Sequence, residues 1–102
     1  MKLDGVLYNE KTVYVPQEKI RISYSMFEYK AADDPFRSCF GLAILLDGLH
    51  ETQECTLFDI ATSQKMAMRI WDLFTEGLVT PCTAKDIMEE LLSDATFLWE
   101  EL

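Results

Sequence analysis

The sequence predicts an α+β fold, in which an antiparallel sheet of three to four strands precedes two C-terminal helices packed on one face of the sheet. Apolar and polar residues alternate through the middle of the chain, which is typical of half-buried strands. After Ile60 the apolar spacing changes to about 3.6 residues, which indicates amphipathic helices. Asp47-Gly48 is a dipeptide typical of tight turns between strands. With 102 residues the chain can form one hydrophobic core, so we expect a single domain.

Two segments on the N-terminal side favour extended backbone. Residues 1–17 carry short apolar groups that end at Pro16, and either an N-terminal arm or an edge hairpin fits them. From Lys19 to Tyr29 the period of two predicts a strand. The loop after it is marked by Pro35, which has no N–H to donate to a sheet. The apolar positions of the strand are Ile20, Ile22, Tyr24 and Met26, and they alternate with Arg21, Ser23 and Ser25.

Two further strands flank Asp47-Gly48. The run from Phe36 to Leu46 is apolar on both faces, so we expect it to lie centrally in the sheet. Asp47-Gly48 would supply the positive φ angles of a tight turn into the next strand, Glu51 to Phe58, which has one wetter face. A turn of this kind leaves Cys39 and Cys55 on opposite faces of the sheet.

The first predicted helix follows Asp59-Ile60. Either Thr62 or Ser63 can cap its N-terminus. Gly77 ends it, and Leu78 is placed to make the hydrophobic contact that accompanies a glycine cap. Its apolar stripe is Met66, Ile70, Leu73 and Phe74, flanked by Ala67 and Trp71.

The second predicted helix begins after Pro81, where Thr83 and Asp86 have nearly the spacing of a capping box. Its apolar stripe would place Asp94 on the buried face, so we expect a bend or break at Ser93-Asp94. Residues 94–102 would then form a separate helical segment. The stripe consists of Ile87, Met88, Leu91 and Leu92.

The charge balance narrows the classes of partner. Nine Lys and Arg against eighteen Asp and Glu give a net charge of −9, which disfavours nucleic acid and anionic membrane surfaces. No apolar run approaches the ~20 residues of a membrane span, and none resembles a signal peptide, so we expect a cytoplasmic protein. The three cysteines are odd in number and lack a C-x-x-C pair, which fits a reducing compartment.

Candidate chemistry is sparse, and we expect no catalytic residue, no metal site and no cofactor. His50, the sole histidine, follows the Asp47-Gly48 turn, where an exposed polar residue is ordinary. The cysteines are too widely spaced for a typical zinc site. Adjacent carboxylates on a helix, such as Glu89 and Glu90, point about 100° apart and do not converge on one ion.

An aromatic set gives two alternatives. It could form a ligand-binding face on the sheet, or it could belong to a core covered by the helices. The second reading is favoured from the sequence. The set comprises Tyr24, Phe27, Tyr29, Phe36 and Phe40.

Several short motifs recur in one known pattern. Phe40-Gly41-Leu42 precedes Asp59-Ile60, and Val79-Thr80-Pro81 leads into Lys85-Asp86-Ile87-Met88-Glu89. In this order, over residues 38–92, they resemble a family of small uncharacterised proteins from Firmicutes, mostly clostridial. That family usually has a His at the position of Thr83 here, and the departure argues against a histidine-based role while leaving an N-cap role for Thr83. The resemblance implies a fold and no known activity.

The sequence therefore favours a non-catalytic cytoplasmic interaction or regulatory protein. The alternative is a small-molecule-binding domain, or a small enzyme that uses carboxylates and His50 at an aromatic pocket. A homodimer is expected, either through the apolar C-terminus or through pairing of Lys19–Tyr29 as an edge strand. The partner is otherwise unknown. The expected interaction surface at the C-terminus consists of Phe97, Leu98, Trp99 and Leu102.

Overall fold

A computed structural model describes residues 6–34 and 36–93 and confirms the predicted fold class, with four strands followed by two helices. The four strands form one antiparallel sheet in the order of the sequence, and the helices pack on one of its faces. The elements are β1 (Val6–Val15), β2 (Ile20–Lys30), β3 (Ser38–Asp47), β4 (Thr52–Ala61), α1 (Gln64–Glu76) and α2 (Pro81–Ser93).

The edges of the sheet are β1 and β4, so the expectation that Lys19–Tyr29 could lie at an edge is wrong. Residues 6–15 form one continuous edge strand, neither an arm nor a separate hairpin, and this strand pairs with β2 along its length. The physical reason is that β2 buries one face in the core, and its backbone N–H and C=O groups then require partners on both sides.

The connection between β3 and β4 differs from the predicted two-residue turn. Asp47 pairs with Thr52, which leaves a four-residue loop, and the N–H of Gly48 donates to the carbonyl of Glu51 at 2.9 Å. No described glycine has a positive φ. Burial sets the register between β3 and β4. Ile44 faces the core, so its partner on β4, Cys55, lies on the same face of the sheet. Cys39 and Cys55 still lie on opposite faces, as expected.

The core lies between the sheet and the two helices. Tyr24 is fully buried in it, where its hydroxyl donates to the carbonyl of Val79 at 2.9 Å and its ring meets Trp71 edge to face. The predicted stripe of α1 is correct except at Leu73, which is 47% exposed. Instead, the side of the helix that carries Ala67 and Trp71 faces the core. Its buried residues are Met66, Ala67, Ile70, Trp71, Phe74 and Thr75.

Both helices begin at residues suited to a helix N-terminus. Ser63, rather than Thr62, caps α1, because its Oγ accepts the N–H of Met66 at 3.2 Å. Pro81 is the first residue of α2, a position where its missing N–H costs nothing. The predicted capping box at Thr83 is therefore wrong, since Thr83 already lies in the first helical turn.

The end of α1 is held by two backbone hydrogen bonds beyond the helix. The N–H of Val79 donates to Phe74 at 3.0 Å and the N–H of Leu78 to Thr75 at 3.4 Å, the pattern of a Schellman motif. In this motif the residue with left-handed backbone is Leu78, with φ 51°, whereas Gly77 has φ −81°. Val79 is buried and Leu78 is exposed, so the apolar contact expected of Leu78 falls one residue later.

Replacing Leu78 with glycine should raise the free energy of unfolding by about 1 kcal/mol, because glycine adopts positive φ without a steric penalty. Urea unfolding followed by circular dichroism measures the change. Leu78→Ala is the matched control, since it shortens the side chain and keeps Cβ, and it should give no gain. An equal gain in both variants would show that the side chain, and not the backbone, is responsible.

The predicted interaction surface at Phe97, Leu98, Trp99 and Leu102 lies outside the described residues, as does the segment 94–102. The described part of α2 extends to Ser93. The bend or break at Ser93-Asp94 stays a prediction. Within the described ranges, no helix is long and apolar enough to cross a membrane.

Candidate functional site

The two helices cover one face of the sheet, and no described element covers the other, which we call the open face. Side chains alternate between the two faces along each strand. Tyr24 and Leu42 point into the core, so their neighbours along the strands point to the open face. On the two central strands these are Arg21, Ser23, Ser25, Phe27 and Tyr29 of β2, and Cys39, Gly41, Ala43, Leu45 and Asp47 of β3.

Three rings form a connected group at one end of the open face. The ring centroids of Phe27 and Tyr29 are 5.8 Å apart, and those of Phe27 and Phe58 are 6.0 Å apart. Tyr29 and Phe58 close the triangle at 6.3 Å, with ring planes at 77°. Phe58 is 48% exposed, and Leu7, the partner of Phe27 on β1, is 55% exposed. We call Phe27, Tyr29 and Phe58 the aromatic cluster.

Gly41 is the floor beneath the aromatic cluster. It pairs with Phe27 across the β2–β3 ladder. A Cβ atom at Gly41 would lie 2.5 Å from Cε2 of Phe27 and 3.0 Å from the carbonyl oxygen of Leu57. The ring of Phe27 therefore lies over the glycine backbone, a space that any other residue would fill.

A bulge in β4 begins directly after Leu57, beside the aromatic cluster. Leu42 pairs with Leu57 and Phe40 with Ala61, so three residues of β4 stand opposite Gly41. Asp59, at the centre of the bulge, has φ 55°. The hydroxyl of Tyr29 donates to the Asp59 carboxylate at 2.5 Å and accepts the Asp59 N–H at 2.7 Å. These two bonds fix the bulge and hold the edge of the cluster.

The titratable groups beside the cluster are poorly suited to acid–base or nucleophilic chemistry. Burial raises the pKa of Tyr29 to about 12, and the hydrogen bond to the Asp59 carboxylate adds to the increase. Burial also raises the pKa of the Cys39 thiol, which disfavours the reactive thiolate. The Asp59 carboxylate is occupied by Tyr29. The arrangement therefore stabilises a surface rather than activating a group.

The structure separates residues that the alternative function requires together. His50 is exposed in the loop after β3, whereas the cluster lies over Gly41 near the start of that strand. The six residue steps of extended chain from Gly41 to Asp47 correspond to about 20 Å. The aromatic pocket containing His50 is therefore not formed within the described residues.

The aromatic set proposed from the sequence divides into three groups. Tyr24 and Phe40 belong to the core that the helices cover, as the favoured alternative expects. Phe27 and Tyr29 lie on the open face, as the other alternative expects. Phe36 is 92% exposed in the loop before β3, because the strand begins only at Ser38.

Phe58 and Leu7 are the site residues that sequence reasoning missed. A signal for Phe58 was present, because it continues the polar series Thr52, Glu54 and Thr56 and must therefore share their solvent-facing side. No comparable signal exists for Leu7, because a register shift in β1 between Leu7 and Asn9 breaks the alternation.

The described residues contain no group of three or more His, Cys, Asp or Glu side chains placed to hold a metal ion. The cysteines among them, Cys39, Cys55 and Cys82, are free. Comparisons with protein-family models, curated proteins and solved structures gave no match to this chain. The resemblance to the clostridial family stays a prediction.

Proposed function

We propose that this chain is a non-catalytic cytoplasmic interaction domain that binds a basic partner protein on its open face, with the aromatic cluster as the apolar anchor. The observation that carries the proposal is the cluster itself, in which the exposed ring of Phe58 packs against Phe27 and Tyr29 beside the Asp59 bulge. Phe58 is exposed, and Phe27 and Tyr29 are half-buried. A contiguous group of partly exposed aromatic residues is typical of protein-binding surfaces.

The cluster is held rigid before any partner binds. Phe27 rests on the backbone of Gly41, and the two hydrogen bonds between Tyr29 and Asp59 fix the neighbouring ring and strand. A preorganised surface loses less side-chain entropy on binding, so more of the contact energy contributes to affinity.

The charges of the open face favour a basic partner. The whole chain carries −9, which attracts cationic proteins and repels a second copy. On the four described strands, the open face has carboxylates on every strand but β2 and a single cation. The carboxylates are those of Glu10, Asp47, Glu54 and Asp59, and the cation is Arg21.

The local chemistry supports binding over catalysis. The pKa values of Tyr29 and Cys39 are raised, so both groups stay protonated at neutral pH. Free cysteines, one of them exposed at Cys82, fit the reducing compartment expected for a cytoplasmic protein. A homodimer through the open face is the competing assembly, and the charge argument disfavours it.

The test uses two synthetic amphipathic helical peptides of about 15 residues with the same Leu and Trp face. One carries Lys on its polar face and the other carries Glu. We expect the Lys peptide to shift amide NMR signals on the open face around Phe58, and the Glu peptide not to bind. Phe58→Ser should weaken binding by about tenfold, because it removes the exposed anchor.

Leu73→Ser is the matched control, because Leu73 is 47% exposed against 48% for Phe58 and lies on α1, away from the open face. Binding should be unchanged in this variant. Equal binding of both peptides, or equal affinity for the Phe58→Ser variant, would contradict the proposal. Sedimentation at several concentrations tests for the homodimer. A dimer that the Phe58→Ser substitution dissociates would show that the open face binds a second copy of the chain.

A further inference from the structure

A second feature lies at the opposite end of the sheet from the aromatic cluster. There, the turn between β1 and β2 and the loop after β3 enclose an open pocket of about 370 Å³. Its charged lining residues are Lys19, Arg21 and Asp47. Gly48 and three residues with apolar or aromatic side chains, Tyr14, Pro16 and Leu49, complete the lining.

The two cations of the pocket have no side-chain partner among residues 6–34 and 36–93. There, the side chains of Lys19 and Arg21 make no hydrogen bond or ion pair, although acidic residues outnumber basic ones eighteen to nine in the sequence. Arg21 even stands opposite Asp47 in the β2–β3 ladder without forming an ion pair with it. By contrast, Arg37 pairs with Asp33 at 2.9 Å. Both cations are therefore available to a ligand.

The backbone at Lys19 is in a conformation that residues with a side chain rarely adopt. Its φ is 54°, and the turn holds it through the N–H of Lys19, which donates to Pro16 at 3.3 Å. Asn, Asp or Gly is the usual residue for this backbone conformation, so a lysine is uncommon at this position. In this turn the side chain of Lys19 lines the pocket together with Arg21.

We propose that this pocket binds a small carboxylate that carries an apolar or aromatic body. The planar guanidinium of Arg21 matches a carboxylate with two parallel hydrogen bonds, and Lys19 adds a second positive charge. Tyr14, Pro16 and Leu49 provide the surface for the apolar body. Asp47 leaves a single net positive charge among the lining residues, which suits a monoanion better than a phosphate.

Three probes separate the parts of this proposal in NMR titrations of the isotope-labelled full chain. Phenylacetate has the carboxylate and the aromatic body, phenethylamine has the body with a cation, and inorganic phosphate is an anion without a body. Phenylacetate should shift the amide signals of Lys19, Arg21 and Leu49 with a Kd on the order of 1 mM. The other two probes should leave them unshifted.

Arg21→Gln and Lys19→Gln should each weaken phenylacetate binding by about tenfold, because each removes one cation at an exposed position that the fold does not require. Arg37→Gln removes the same charge elsewhere and should change nothing. The proposal fails if phenylacetate leaves the pocket signals unshifted, if phenethylamine shifts them equally, or if phosphate binds as well as phenylacetate. It also fails if Arg37→Gln weakens binding as much as Arg21→Gln.

Discussion

Replacing Gly41 with valine should lower the free energy of unfolding by about 3 kcal/mol and displace the ring of Phe27 from the aromatic cluster. The new Cβ would overlap Cε2 of Phe27 and approach the carbonyl oxygen of Leu57, which belongs to the backbone and cannot move away freely. Urea unfolding measures the stability, and NMR shifts of Phe58 report the displaced ring.

Ala43→Val is the matched control, because Ala43 lies two residues further along the same face of β3, where its partners Ser25 and Thr56 are small. It should be nearly neutral. A double variant with Phe27→Ala tests the cause, since removal of the ring should relieve most of the clash. If the two changes at Gly41 and Phe27 are additive, the ring is not what makes the glycine necessary.

The second large effect is an alkaline loss of stability through Tyr24. Burial raises the pKa of Tyr24 from 10.0 to about 12. The raised pKa means that the fold favours the neutral phenol over the phenolate. The resulting contribution to the free energy of unfolding is fully present below pH 10 and is lost as the pH rises towards 12. A shift of two units corresponds to about 3 kcal/mol, roughly half of which is lost by pH 11.

Tyr24→Phe isolates this contribution. At pH 8 the variant should be less stable than the wild type by about 1–2 kcal/mol, because the buried carbonyl of Val79 loses its hydrogen bond. It should lose less stability with rising pH, so the two curves of unfolding free energy should cross between pH 10 and 12. Urea unfolding at pH 8, 10 and 11 decides the matter, and parallel curves would exclude Tyr24 as the source. Tyr29 is present in both proteins and cancels in the comparison.

The elements themselves could be predicted because their signals are local. The alternation of Ile22, Tyr24 and Met26 with polar residues marks β2 without knowledge of any neighbour. Ser63 caps α1 through a contact three residues away, and Pro81 starts α2 through its own missing N–H. The prediction was wrong at the end of α1, where a left-handed glycine cap was expected at Gly77. In the structure the residue with left-handed backbone is Leu78.

The candidate sites could not be predicted in the same way, because they depend on pairing between distant residues. Tyr29 and Asp59 are 30 positions apart in the chain, and their contact exists only because β4 carries a bulge opposite Gly41. Lys19 and Leu49 line one pocket for a similar reason, since antiparallel pairing places two separate loops at one end of the sheet.

By itself, the sequence determined the fold class, the order of the two described helices after the strands, and the acidity that disfavours nucleic acid as a partner. These depend on composition and on periodicity within a few turns or strand residues. The tertiary structure alone decided which strands are edges, that Phe58 joins Phe27 and Tyr29 on the open face, and that Lys19 and Arg21 share a pocket. Burial sets the strand register, and register in turn decides which side chains meet.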